Sequence, residues 1–184
     1  GGLHPAFEFV KECLERGKSV VSSNKELVAQ KGAELLELAR CNHVNFFFEA
    51  SVGGGIPIIR PLHQCLAANE IDEIAGILNG TTNFILTKMI REQMEFSHAL
   101  ALAQQLGYAE DWGGVIKRIG RAKRLENGKL DVCVGPMFLS GDSQLASVDD
   151  VFNGILVRGD ATGDVVFYGK GAGKLPTASA VVAD

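Results

Sequence analysis

The chain has no apolar run long enough to cross a bilayer, and neither a signal peptide nor a membrane partner is expected. Its four cysteines, Cys13, Cys41, Cys65 and Cys133, form no CxxC pair, and its four histidines fall in no metal-ligand spacing. That pattern fits a reduced, cytoplasmic compartment and argues against a disulfide scaffold. Basic charge is not in excess: the formal net charge is -4, which leaves no electrostatic footprint for nucleic acid. Lys117, Arg118, Arg121, Lys123 and Arg124 form one basic cluster, read as a solvated strand or turn edge. No Ser/His/Asp or Cys/His arrangement and no HExxH motif appears, and there is no internal repeat or low-complexity tract. Gly169 to Thr177 is glycine-rich but is neither a P-loop nor a GxGxxG fingerprint, because its register is GxGxG.

What is present is an ordinary globular composition, 184 residues with 46% hydrophobic and 22% charged, enough for a real core. Both ends read as cut through an element, so a larger chain is expected. Helix-spaced apolar residues over 5–16, a short β-branched strand at Ser19 to Ser22, a helix over Glu26 to Ala39 and a strand over Asn45 to Ala50 give a parallel α/β rhythm. Pro61 to Ala68 reads as helix and Ile71 to Leu78 as strand. Thr81 or Thr82 caps one further helix, and Ser97 caps another that ends at Gly107. Gly113 to Ile119, Lys129 to Leu139, Asn153 to Val157 and Val165 to Tyr168 then read as antiparallel or mixed sheet, joined by turns at Glu126-Asn127-Gly128 and Asp160 to Gly163. The predicted class is α/β followed by α+β.

Ligands of parallel α/β sheets sit beyond the carboxyl ends of the strands, where Ser22-Ser23-Asn24-Lys25 and Glu49 both fall. Lys25, opening a helix, can meet an anionic cofactor group or a substrate oxygen, or can be a surface lysine. In Phe48-Glu49-Ala50-Ser51-Val52-Gly53-Gly54-Gly55-Ile56-Pro57 an apolar strand runs into three glycines whose backbone can approach an ion and offer its carbonyls. The plainer reading is a tight connection with a solvated glutamate. Asn79-Gly80-Thr81-Thr82-Asn83 is either simple capping or a nest around a small polar substrate. Glu110, beyond Gly107-Tyr108-Ala109, is either a substrate-binding carboxylate or a solvated helix exit.

Taken together, Ser22 to Lys25, Phe48 to Pro57, Gly76 to Phe84, Gly107 to Glu110 and Gly169 to Thr177 resemble homoserine dehydrogenases, in that family's order and over nearly the whole chain. The resemblance implies residues 1–56 as the end of a Rossmann-like nucleotide-binding domain. It implies 57–184 as a mixed-sheet catalytic and dimerisation domain, interrupted after Glu110. It implies NADPH- or NADH-dependent interconversion of aspartate 4-semialdehyde and homoserine, on the route to threonine, methionine and isoleucine, by a homodimer. Lys25 and Glu110 would be catalytic. Ser22, Lys25 and Gly173 would contact the cofactor, and Gly107, Glu110 and Thr81 the substrate. Glu49 with the carbonyls of Val52, Gly54 and Ile56 would hold sodium. Two departures stand out: no Gly-rich βαβ precedes Gly1, and no Asp-x-x-x-Lys follows Glu110, so the chain as written is expected to be inactive. A regulatory or interaction domain that keeps the fold, or part of an aspartokinase fusion, are the alternative readings.

Overall fold

The computed structural model of the protein describes residues 2–78 and 114–184. The Asn79 to Asn83 motif, the helices expected after Thr81 and Ser97, and the candidate residues Thr81, Gly107 and Glu110 lie outside the described residues. The chain forms two compact units, Gly1–Arg60 with Ala172–Asp184, and Pro61–Gly171. The final segment therefore belongs by compactness with the N-terminal residues.

The first unit contains α1 (Ala6–Glu15), β1 (Val20–Val21), α2 (Lys25–Cys41) and β2 (Phe46–Phe47). β1 and β2 pair in parallel, Val20 opposite Phe46 and Val21 opposite Phe47. This is the βαβ connection that the alternating pattern predicts. Leu14, Leu27, Leu35, Ala39 and Phe46 are buried together, so α1 and α2 each contribute an apolar stripe to one core. The C-terminal helix, α4 (Lys174–Ala183), closes the unit.

The strand expected over Asn45 to Ala50 is shorter than predicted, and the difference has a local cause. After Phe47 the backbone tightens into a 3-10 turn at Glu49–Ser51. The Ser51 hydroxyl donates to the Phe48 carbonyl at 2.6 Å, and Ser51 N–H donates to the same oxygen at 2.9 Å. Carbonyls engaged that way cannot extend a ladder. α3 (Ile59–Gln64) begins two residues before the expected Pro61 and ends four before the expected Ala68.

The second unit is built on a five-stranded sheet of β3 (Ile71–Ile77), β4 (Gly114–Arg124), β5 (Leu130–Ser140), β6 (Phe152–Gly159) and β7 (Gly163–Lys170). The spatial order is β5-β4-β3-β6-β7, and every described pairing is antiparallel. The β4–β5 turn falls at Gly128, with φ +76°, and the β6–β7 turn at Gly163, with φ +68°, both left-handed positions that suit glycine. Ala75, Ile77, Ile119, Leu145, Val148 and Leu156 form the core on one sheet face.

β4 continues through Arg124, five residues beyond the predicted end, because its cationic side chains find partners. Lys117 is not part of a solvated edge. Period-2 alternation puts it on the face of buried Ile119, where its ammonium donates to the Val148 carbonyl and to Asp149, each at 2.8 Å. Arg121 pairs with Asp131 on β5 at 2.6 Å. Across the β6–β7 hairpin, hydrogen bonds from Arg158 hold the Asp164 carboxyl below its ordinary pKa. A lowered folded-state pKa means that this support is present at neutral pH and fades as pH falls through the lowered value.

On β5 the alternation exposes apolar side chains. Leu130, Val132, Val134 and Phe138 are 63%, 67%, 69% and 51% accessible, on a strand at the edge of the described sheet. An edge strand with an apolar stripe is a surface that other chains can cover.

Candidate functional site

The loop after β1 is held by short polar side chains. Ser22 N–H donates to the Phe47 carbonyl at 2.9 Å, and its hydroxyl accepts from Asn24 N–H at 3.2 Å. Asn24 caps α2, its side-chain oxygen accepting from Leu27 N–H at 3.1 Å. Asn24 also donates to the Gly2 carbonyl at 2.8 Å. With capping done by Asn24, Lys25 is the first helical residue and its side chain is exposed. It has no structural employment in the described residues, and it stands at a helix N-terminus beyond the carboxyl end of a parallel strand.

The loop after β2 is more constrained than a solvated connection. Glu49 is 6% exposed. Its carboxylate accepts from Ile58 N–H at 2.6 Å, Ile59 N–H at 2.8 Å and Arg60 N–H at 2.8 Å. The next residue, Pro61, has no N–H to give. One side chain thus satisfies the whole set of otherwise unpaired donors at the start of α3. The plain reading of Glu49 as a solvated residue is corrected by this burial: its local sequence gives no sign that the donors lie nine to eleven residues ahead.

Between Glu49 and α3 the chain turns through Gly53 and Gly54, at φ +70° and +64°. Both are left-handed positions, which glycine adopts without strain. Gly53 accepts from Ile56 N–H at 3.1 Å, whereas the carbonyls of Val52, Gly54 and Ile56 accept no hydrogen bond among the described residues. Gly54 and Ile56 are buried. Unused carbonyls on a buried glycine turn are the donor set that a hard monovalent cation takes. Since the Glu49 carboxylate is committed to three N–H groups, any ion here would rest on backbone oxygens.

Two residues not singled out in the sequence belong to this turn. Asp184 accepts from Glu49 N–H at 2.8 Å and from the Arg60 guanidinium at 3.2 Å, and Arg60 also donates to the Ala183 carbonyl at 2.8 Å. The Glu49 contact spans 135 residues of sequence, so no local pattern could show it. The helix carrying Asp184 begins at Gly173, its N-cap, with φ +118° and no side-chain cap. Among the described residues no side chain caps its first N–H groups, those of Lys174 and Leu175 ahead of Pro176. Gly173 and the Glu49 turn thus lie in one compact unit, tied together by α4.

A family model described as homoserine dehydrogenase matches residues 57–112 and 110–184, two pieces that meet at the Glu110-Asp111-Trp112 step. The chain belongs to the homoserine dehydrogenase family. It is 39% identical to a homoserine dehydrogenase of Synechocystis and 36% identical to that of Bacillus subtilis, over its whole length in each case. It covers 55% and 54% of those proteins, so the chain spans about half the length of the curated relatives it matches. The two alignments run over 237 and 234 positions against 184 residues here, so these homoserine dehydrogenases carry segments without a counterpart in this chain. In structure it is similar to a homoserine dehydrogenase from Thiobacillus denitrificans, with a TM-score of 0.91 and 38% identity over the whole chain and 54% of that protein. It is also similar to a hyperthermophilic archaeal homoserine dehydrogenase in complex with NADPH, with a TM-score of 0.80 and 29% identity over the whole chain and 67% of that protein. No helix among the described residues is long and apolar enough to cross a membrane.

Proposed function

We propose that this chain acts in an NAD(P)-dependent homoserine dehydrogenase that interconverts L-homoserine and L-aspartate 4-semialdehyde in a reduced, cytoplasmic compartment. The observation that supports this most is the 38% identity at a TM-score of 0.91, maintained from end to end of the chain.

The residues present fit the groups that the reaction needs. The uncapped N-terminus of α4 at Gly173 and the Ser22–Lys25 loop suit an anionic dinucleotide. The Val52, Gly54 and Ile56 carbonyls, on the backbone turn that starts at Glu49, suit sodium. When bound, NADP or NAD supplies the hydride acceptor or donor. Lys25 holds an ammonium beyond a strand end, where it polarises the carbonyl oxygen of the semialdehyde as negative charge develops on it. Ser22 orders the Lys25 loop through its bond to Asn24 N–H. Glu110, Gly107 and Thr81 are proposed to bind the amino-acid end of the substrate, Glu110 by accepting from its ammonium or hydroxyl. Steady-state oxidation of homoserine by the intact protein, followed by nucleotide reduction, tests the reading. Turnover that needs both homoserine and an oxidised nicotinamide nucleotide supports it, and a folded intact protein without turnover overturns it.

The assembly is proposed to be a homodimer, with β5 at its interface. The four-residue apolar stripe of Leu130, Val132, Val134 and Phe138 supports this, since a second copy would remove it from water. Replacing Val132 and Val134 together with lysine is expected to convert the dimer to a monomer in light scattering. A double variant that remains dimeric would place the interface elsewhere.

A further inference from the structure

The β6–β7 hairpin holds a side chain that neither the core nor the proposed chemistry uses. Asn153 on β6 is 1% exposed, and among the described residues neither Nδ2 nor Oδ1 of its amide has a hydrogen-bond partner. Buried amides are nearly always paired, so a sealed one carrying two donors and an acceptor calls for an explanation.

Its surroundings narrow the explanation. Gly154, the next residue, faces the apolar core: a Cβ there would lie 2.8 Å from Val148 Cγ2 and 3.1 Å from Leu145 Cδ2. Alternation puts Asn153 on the other face of the strand, with buried Ile155 and Val157. There it meets Gly171. A Cβ built on Gly171 would lie 1.9 Å from Asn153 Nδ2 and 2.1 Å from Cγ, so only glycine allows the backbone to rest on the amide. Asn153 pairs across the ladder with Gly169, the residue from which this loop departs. Two residues beyond Gly171 the chain reaches Gly173, at φ +118° and heading an uncapped helix. A polar amide pressed against a glycine backbone, with all its hydrogen bonds unmade, is in place to bond that backbone after a small local shift.

We propose that Asn153 is a positioning residue for the Gly169–Gly173 loop: its amide hydrogen-bonds the backbone at Gly171 when a dinucleotide occupies the loop, and is unpaired when none does. The proposal rests on the reading of Gly173 as a cofactor contact. It assigns Asn153 no contact with the nucleotide. Bond formation on binding contributes to affinity, because a group that is unpaired in the free protein becomes paired in the complex.

The test uses the intact protein, labelled with 15N, and NADP+ as the probe. The Asn153 side-chain NH2 resonances are assigned by their loss in Asn153→Ala. On saturation with NADP+ they should move downfield and exchange more slowly with solvent. Calorimetry of Asn153→Ala should show NADP+ binding weakened roughly tenfold, the equivalent of about one hydrogen bond. The KM for homoserine at saturating nucleotide should be unchanged. The isosteric Asn153→Asp keeps the shape and one acceptor, so it serves as the folded comparison if alanine perturbs the strand, and it too should weaken binding. NADP+ that binds wild type without moving the Asn153 resonances, or binds folded variants with unaltered affinity, overturns the positioning role alone. Failure of NADP+ to bind wild type overturns the cofactor reading of Gly173 and the positioning role with it.

Discussion

Replacing Lys25 with alanine in the intact protein is expected to lower kcat for homoserine oxidation by roughly two to three orders of magnitude, the usual worth of a positioned group that stabilises charge developing on an oxygen. The same substitution should change unfolding free energy by no more than about 0.5 kcal/mol. The contrast follows from the division of labour at the start of α2. Asn24 does the capping through Leu27 N–H, Ser22 braces Asn24, and the exposed Lys25 side chain is left over. A residue that contributes little to folding, at a helix N-terminus beyond a parallel strand, is available for chemistry. A Lys25→Ala enzyme with near-native kcat would remove this side chain from the reaction.

Glu49→Ala is expected to do the opposite, acting first on stability. The carboxylate accepts three backbone N–H groups at 2.6 to 2.8 Å in a buried setting, and Pro61 offers no fourth. Alanine leaves those donors without an acceptor. Hydrogen bonds to a charged group are worth more than neutral ones, so the loss should be roughly 3 kcal/mol, read as a lowered urea midpoint. Loosening α3 also frees the glycine turn, and with it the carbonyls of Val52, Gly54 and Ile56. Wild-type activity should therefore be higher in sodium than in a bulky organic cation, and the variant should lose much of that difference. An unchanged midpoint would contradict the capping role. Equal wild-type activity in both salts would contradict the cation site.

These two residues also show how far the sequence could be read. The place of Lys25 at the start of a helix was legible from local signals, whereas its cap, Asn24 on Leu27 N–H braced by Ser22, was not singled out although its partners lie within three positions. The β1–α2–β2 connection was legible because apolar period and a β-branched strand are local signals. The sheet strands were legible from their alternation and their turns, down to Gly128 and Gly163. Glu49 was legible as important but not for its structural reason. Its three donors and Asp184 come from other segments, and hydrogen bonds of that span leave no periodicity. Lys117 was misread because a cluster of like charges resembles a solvated edge. What placed it inside was Asp149 and the Val148 carbonyl, more than thirty residues away. Asn153 carried no motif at all. It stands out only once Gly171 is seen resting on its amide.

The central claim is hydride transfer between a nicotinamide nucleotide and the four-carbon amino acid. It is tested most directly by giving the intact protein NADPH or NADH deuterated at nicotinamide C4 together with aspartate 4-semialdehyde, and analysing the product by mass spectrometry. The account predicts homoserine carrying one deuterium at the former aldehyde carbon, from one stereospecific face of the nucleotide, with the yield collapsing in Lys25→Ala. Homoserine without label, or no homoserine from a folded intact protein, would contradict it.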